Sequence, residues 1–297
     1  MTEHGLPRVG FIGLGVMGRP MAERILRTGA PLTVWSRSRQ PIDELCSRGA
    51  RGATSAGEVA SGSDVVICML PDTSDVIDVL TGTGGVFDSL DRRGLVIDMS
   101  TISPVETAKL ATAAAAQGLD FVDAPVSGGE VGAVTGTLSI MVGGSNAAVD
   151  RARPLLQILG KSVKHVGGAG AGQTAKACNQ LIVGMNILAV AEALALASSL
   201  GVEASVVRDA IGGGFASSRV LELHGERMLH EQYEPGFRTS LHLKDARIVL
   251  DSARASGLAL PGFEAVVEGL EYLVRTNRGN LDHAALKLYV TRSPDDQ

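Results

Sequence analysis

Residues 9–26 combine three local signals in a fixed order. An apolar run with Val9, Phe11 and Ile12 leads into glycines 13, 15 and 18 in the spacing G-x-G-x-x-G, and a helical pattern through Met17, Met21, Ile25 and Leu26 follows. Few folds ask for that order. A strand turning sharply into a helix needs a residue without Cβ at the turn, a second where phosphates approach the backbone, and a third where helix lies on strand. The new helix N-terminus offers free N–H groups and the positive end of its dipole. The segment predicts a dinucleotide-binding βα unit with Gly13, Leu14, Gly15, Val16 and Met17 against a pyrophosphate. A tight βα turn without a ligand would use the same glycines.

The next apolar run, Leu32-Thr33-Val34-Trp35, ends in Ser36-Arg37-Ser38-Arg39. In an NAD site this strand end usually carries a carboxylate that accepts from the ribose hydroxyls. That carboxylate would repel a 2′-phosphate, and here Ser36, Arg37, Ser38 and Arg39, two arginines and two small hydroxyls, stand in its place. Arginine's planar fork gives a phosphate two parallel donors. The expected cofactor is NADP(H) in preference, with NAD(H) as a substitute; a solvated basic turn would read the same way.

Up to about residue 165, short apolar runs alternate with helical patterns. The strand candidates are 8–12, 32–35, 64–69, 94–98, 120–123, 137–142 and 162–166. Such runs, separated by helices, predict a parallel sheet buried on both faces, with ligands beyond the C-terminal strand ends. From Gly168 the texture changes. Gln173 to Ser199 contains one glycine, Gly184, and no proline, which predicts a helix of about 40 Å. A membrane span competes for this segment, but Asn186 and Glu192 interrupt it, so a central helix buried between protein surfaces is preferred. Helices are expected at 203–211, 218–231, 241–255, 262–277 and 281–288, and a frayed tail at 293–297. The fold class is α/β: an N-terminal Rossmann-type doubly wound sheet over 1–167, then an all-α domain over 168–297.

A net charge of −5 argues against nucleic acid or an anionic membrane as partner. Three scattered cysteines and no signal-peptide pattern in Met1–Gly5 fit a cytoplasmic protein. The six histidines show no metal-ligand spacing, so no metal is expected.

Polar residues on apolar backgrounds mark the chemistry. Lys176 and Asn179 are three apart near the start of the long helix, with Gln180 beside them, so they share a face. A lysine there opposes the helix dipole; it suits a proton donor to a ligand, or a surface lysine snorkelling off the first turn. Lys244 repeats the pattern beside Asp245, where a surface ion pair is the alternative. Ser127, Gly128 and Gly129 offer N–H groups and a hydroxyl to a small carboxylate, or form a plain glycine turn.

Four segments together, Gly10–Gly18, Asp123-Ala-Pro-Val-Ser-Gly-Gly129, Gly172-Gln-Thr-Ala-Lys-Ala-Cys-Asn179 and Lys244-Asp245, resemble the β-hydroxyacid dehydrogenase family over nearly the whole chain. The resemblance implies NADP(H)-dependent interconversion of a small 3-hydroxy acid and its aldehyde acid. It makes Lys176 the catalytic lysine and assigns Ser127, Gly128, Gly129 and Asn179 to the substrate. It places Lys244 against cofactor or substrate, has Leu70, Pro71 and Thr101 line the cofactor site, and implies a homodimer or homotetramer through the helical domain. Within the family the likeness is strongest to the tartronate semialdehyde reductases, through Ser127–Glu130, Gly136–Gly144, Pro235–Arg238, Leu241–Lys244 and Asp282-His283. Trp35-Ser36-Arg37 departs from the pattern, which often has Asn or Asp before the Arg. A related imine reductase, a group that usually lacks the lysine, and a non-catalytic NADP(H) sensor are the rivals.

Overall fold

The structure is a computed structural model that describes residues 5–293. Residues 1–4 and the expected frayed tail beyond 293 lie outside the described residues. The chain forms two compact units, Met1–Lys176 and Ala177–Gln297.

In the first unit the apolar runs become strands. It begins β1 (Val9–Ile12), α1 (Gly18–Leu26), β2 (Leu32–Trp35), α2 (Arg39–Cys46), β3 (Arg51–Gly52), α3 (Ala56–Ser61), β4 (Val65–Cys68) and α4 (Thr73–Thr81). It continues α5 (Val86–Ser89), β5 (Leu95–Asp98), α6 (Pro104–Ala116), β6 (Asp120–Asp123), β7 (Val126–Ser127), α7 (Gly129–Thr135), β8 (Leu138–Gly144), α8 (Asn146–Leu159) and β9 (Gly160–Gly167). The sheet order is β3-β2-β1-β4-β5-β6-β8-β7, with β9 beside β8. Successive side chains alternate between faces: Phe11, Ile67 and Ile97 join one core, and Ile12, Val66 and Val96 join another. Both faces are therefore buried, which is why these strands read as unbroken apolar runs.

The sheet is not wholly parallel as expected. β8 runs antiparallel to β6 and β7. The connection from β7 to β8, residues 128–137, is shorter than the dozen residues a parallel crossover needs. The two-residue strands β3 and β7 escaped the sequence reading because neither carries an apolar run.

Helix α9 (Ala171–Ser199) starts in the first unit and enters the second. The sequence put the domain break at 167/168; the first turn of α9 clusters with the first unit because Asp123 of β6 accepts from Gly170 N and Gln173 N. The second unit continues with α10 (Ala204–Ile211), α11 (Arg219–Leu229), α12 (Thr239–Ala255), α13 (Pro261–Arg275), a 3₁₀ turn (His283–Ala285) and α14 (Leu286–Val290). Its core joins Ile187 and Leu194 of α9 to Met228, Phe263, Leu270 and Leu286. By length and composition α9 is apolar enough to cross a membrane, and 39% of its most apolar window is buried inside the chain. The chain itself supplies only part of the expected cover, and Ile182, Met185 and Leu196 face outward.

Candidate functional site

The glycine loop follows β1 where strand order reverses, with β2 on one side and β4 on the other. Ligands of open α/β sheets bind at such a reversal. Gly13 has φ +95°, and a Cβ there would collide with the carbonyl of Met69. Gly18 lies too close to the carbonyl of Gly13 for any side chain. At Gly15 a Cβ would meet nothing within 4 Å, so the backbone faces open space. Helix α1 has no side-chain cap and no acidic residue in its first turn, which leaves its N–H groups to an anion. Leu14 is buried, while Val16 is exposed and Met17 half-buried at the helix entry. These features fit a dinucleotide.

The loop is joined to the end of β2 through Leu14 N, which donates to Ser36 Oγ at 3.4 Å. Arg37 extends into solvent and pairs with Asp75 of α4, Nη1 to Oδ1 at 3.2 Å. Arg39 pairs with Asp43 at 2.9 Å. Ser38 occupies the N-cap position of α2, but its hydroxyl makes no capping bond. Asp75 had no local signal: it lies 38 residues from Arg37.

Three further strand ends are tied together beneath this loop. Leu70 N, beyond β4, donates to Ser100 Oγ beyond β5 at 2.9 Å. Pro71 is exposed, and Asp72 caps α4. Ser100 N donates to Asp98 Oδ1 at 3.1 Å. Thr101 is half-buried, and Gln173 reaches the residues on both sides of it: Nε2 donates to Ser100 O at 2.8 Å, and Oε1 accepts from Ile102 N at 3.1 Å. Asp123 at the end of β6 is fully buried and accepts from Gly170 N at 2.8 Å and Gln173 N at 2.9 Å. Burial pushes its carboxyl above the usual range, and those N–H donors oppose the rise. The carboxylate thus meets the positive end of α9.

Beyond Asp123 the chain runs through β7 to the substrate candidates. Ser127 is half-buried, and Gly128 and Gly129 take φ +133° and +61°, a turn glycine makes readily. On α9, Lys176 is only 7% exposed, which rules out the snorkelling alternative. One turn on, the buried Oδ1 of Asn179 has no hydrogen-bond partner among the described residues. Such an atom is costly unless something donates to it.

In the second unit Lys244 pairs with Asp245 at 2.8 Å, and Asp245 accepts from Gln180 Nε2 at 2.6 Å. The ion pair is present but largely withdrawn from solvent: the half-buried Lys244 and buried Asp245 side chains are 19% and 4% exposed. The same unit assembles three histidines whose chain spacing showed no site. His283 Nδ1 lies 3.1 Å from His242 Nδ1, and its Nε2 lies 3.3 Å from His224 Nε2. His224, Asp282 and His283 place ligand-type atoms within 4.8 Å of one another. Asp282, however, already accepts from Gly236 N, Phe237 N and Ala284 N and pairs with Arg227 at 2.8 Å. That donor set describes an anchored carboxylate more than a metal ligand.

Asp123, Gln173, Asp75 and Asp245 had no role assigned from sequence. Only the motifs around Asp123 and Gln173, and the Lys244-Asp245 dipeptide, hinted at three of them.

Comparison with known proteins agrees with this geometry. Residues 8–167 match the NAD-binding domain of 6-phosphogluconate dehydrogenase. Residues 170–289 match the NAD-binding domain of NADP-dependent 3-hydroxyisobutyrate dehydrogenase. The chain is 47% identical over 280 residues to 2-hydroxy-3-oxopropionate reductase of Escherichia coli, covering 94% of this chain and 95% of that protein. It is 36% identical over 255 residues to 2-(hydroxymethyl)glutarate dehydrogenase of Eubacterium barkeri, covering 86% and 85%. The structure of Mycobacterium tuberculosis 3-hydroxyisobutyrate dehydrogenase with L-serine superposes with a TM-score of 0.89 at 30% identity, covering 97% of this chain and all of that one. A Rossmann-type unit followed by a helical unit, with relatives of this kind across both, makes the chain a member of the β-hydroxyacid dehydrogenase family, oxidoreductases that use NAD(P) and act on CH–OH groups.

Proposed function

We propose that the enzyme reduces tartronate semialdehyde to glycerate with NADPH, Lys176 being the proton donor. The observation that carries this reading is the buried Lys176 followed one turn later by the unpartnered Asn179 Oδ1. The 47% relative, named 2-hydroxy-3-oxopropionate reductase, supports it.

When bound, the reduced nicotinamide supplies a hydride to the carbonyl carbon. Lys176 gives the carbonyl oxygen its proton, so aldehyde, hydride and proton become a primary alcohol and the lysine is left as the amine. In the oxidising direction neutral Lys176 takes the hydroxyl proton. Such positioned proton transfer contributes about 10²–10⁴-fold. The N–H groups and hydroxyl of Ser127–Gly129 hold the carboxylate. Asn179 Oδ1 accepts from the C2 hydroxyl, which 3-hydroxyisobutyrate replaces by a methyl group. A site built for a hydroxyl penalises its absence because a buried acceptor stays unpaired.

Arg37 and the hydroxyls of Ser36 and Ser38 favour NADPH over NADH. Exposed Ile182, Met185 and Leu196 on α9 suit a homodimer or homotetramer. The polar face Gln173, Lys176 and Gln180 is buried in protein, so we assign α9 to a soluble assembly and not to a membrane. We place the enzyme in the cytoplasm on the strength of three unbridged thiols, and its acidic charge leaves nucleic acid out of its partners.

The test is kcat/KM for tartronate semialdehyde and methylmalonate semialdehyde with NADPH and NADH, and for D-glycerate and 3-hydroxyisobutyrate with NADP⁺. Tartronate semialdehyde with NADPH should lead. A higher value for 3-hydroxyisobutyrate than for glycerate would defeat the substrate, and a tenfold preference for NADH would defeat the cofactor.

A further inference from the structure

Gln173 is 1% exposed and carries an uncharged amide into the buried interior. A buried primary amide must place one acceptor and two donors. Here the acceptor and one donor go to the two peptide groups flanking Thr101, the Ile102 N–H at 3.1 Å and the Ser100 carbonyl at 2.8 Å. That pattern imitates a strand neighbour: one side chain holds the main chain on both sides of a single residue. Gln173's own N–H is held in turn by Asp123. Lys176 stands three residues further along α9, about 5–6 Å from Gln173 between Cβ atoms on a helix surface.

We infer that Gln173, with Asp123 behind it, is a positioning residue that fixes the Thr101 loop relative to Lys176. This rests on the reading of Lys176 as proton donor and of Thr101 as part of the cofactor site. Gln173 and Asp123 together join four chain segments: the residues beyond β5 through the amide, and the end of β6, Gly170 and α9 through the carboxylate. Ser100 extends the tie to Leu70 through its hydroxyl. Hydride transfer depends steeply on distance, and a misplacement of about 1 Å can cost on the order of 10²-fold. A clamp that spans the cofactor loop and the lysine helix within one side chain removes most of that freedom. Asp123 in turn admits no slack, because Gly143 and Gly172 pass so close to its carboxylate that a Cβ at either would overlap it.

The test compares wild type with Gln173→Ala, Gln173→Glu and Asp123→Asn. Hydrogen exchange is followed at the Ile102 amide in the cofactor-free protein, a readout that needs no turnover. Gln173→Ala should exchange that amide at least tenfold faster while amides of β1 keep their rates. In the same variant kcat should fall at least tenfold with NADPH Kd changed less than threefold, and the primary isotope effect with 4-deuterated NADPH should rise. Gln173→Glu keeps the acceptor but cannot donate to Ser100 O while ionised. Its kcat should recover as pH falls and the carboxyl gains a proton, which a mere packing role would not produce. Asp123→Asn should reproduce the kcat loss, and circular dichroism checks that each variant is folded. Unchanged exchange at Ile102 in Gln173→Ala overturns the clamp. Faster exchange with kcat and isotope effect unchanged overturns the positioning role. A wild type inactive on every hydroxy acid and aldehyde acid defeats the functional reading instead, and the exchange contrast still decides the clamp.

Discussion

Removing a negative charge from α4 should make this enzyme use NADPH better. Arg37 reaches Asp75 at 3.2 Å, with the two side chains 73% and 28% exposed. A pair this exposed is worth about 0.2–1 kcal/mol. A 2′-phosphate that recruits Arg37 must first draw it away from Asp75. Asp75→Asn removes that competition, which corresponds to a gain of about 1.4- to 5-fold in kcat/KM for NADPH. Lifting the repulsion between carboxylate and phosphate acts in the same direction and weakens with salt. NADH has no 2′-phosphate, so its kcat/KM should stay put. Asp75 also sits in the first turn of α4, where an acid stabilises the helix by about 0.3–1 kcal/mol. The assay should therefore run well below the unfolding temperature. Initial rates at 50 and 300 mM salt, repeated in Arg37→Ala and in the double variant, complete a cycle that isolates the pair. Three results would refute the reasoning: an equal gain with both cofactors, a gain undiminished in Arg37→Ala, or a loss.

Lys176→Ala should lower kcat at least about 10²-fold with little change in NADPH binding by fluorescence titration; near wild-type turnover would return Lys176 to a structural role. Gly18→Ala forces a Cβ onto the carbonyl of Gly13, and an overpacked site of this kind costs about 1–3 kcal/mol. Urea unfolding should show that loss, and an unchanged midpoint would mean the loop shifts freely. Burial and the neighbouring His242 hold the His283 imidazole well below its ordinary proton affinity, against the pull of Asp282. The unfolded chain takes that proton near pH 6.5 and the folded chain does not. Stability should therefore be full above about pH 6.5 and fall below it, by at most about 1.4 kcal/mol per pH unit. His283→Gln should flatten that slope between pH 5 and 6.5, and an unaltered slope would remove His283 as its source.

Whatever depends on neighbours in sequence was legible early. The central strands announced themselves because burial on both faces leaves no polar alternation to interpret. The glycine loop and Lys176 each carry their anomaly within one turn of chain. Strand direction at β8 was not legible, since an apolar run reads the same whichever way it is laid. The polar partnerships were hidden for a different reason. Asp123 meets Gly170 across 47 residues, Gln173 meets Ile102 across 71, and His283 meets His242 across 41. Each is chosen by tertiary geometry, and a buried glutamine among alanines looks from sequence like a solvent-facing one. The outward apolar face of α9 was not legible either: its hydrophobicity pointed to burial between protein surfaces, and only part of that cover comes from the chain itself.

The carboxylate of Asp123 ties together three stretches that read as unrelated motifs. Its oxygens leave no room for a methyl group at Gly143 or Gly172, and it receives the N–H groups of Gly170 and Gln173. The acid in one stretch and the glycines of the other two are thus one object, divided along the chain only by the order of synthesis. A longer side chain at 123 would strike those glycines, and an alanine at 143 or 172 would evict the aspartate. Drift at any one of these positions is blocked unless the others move with it. For anyone recombining enzymes of this kind, crossovers that separate residue 123 from residues 143 and 172 are safe only between parents that share all three.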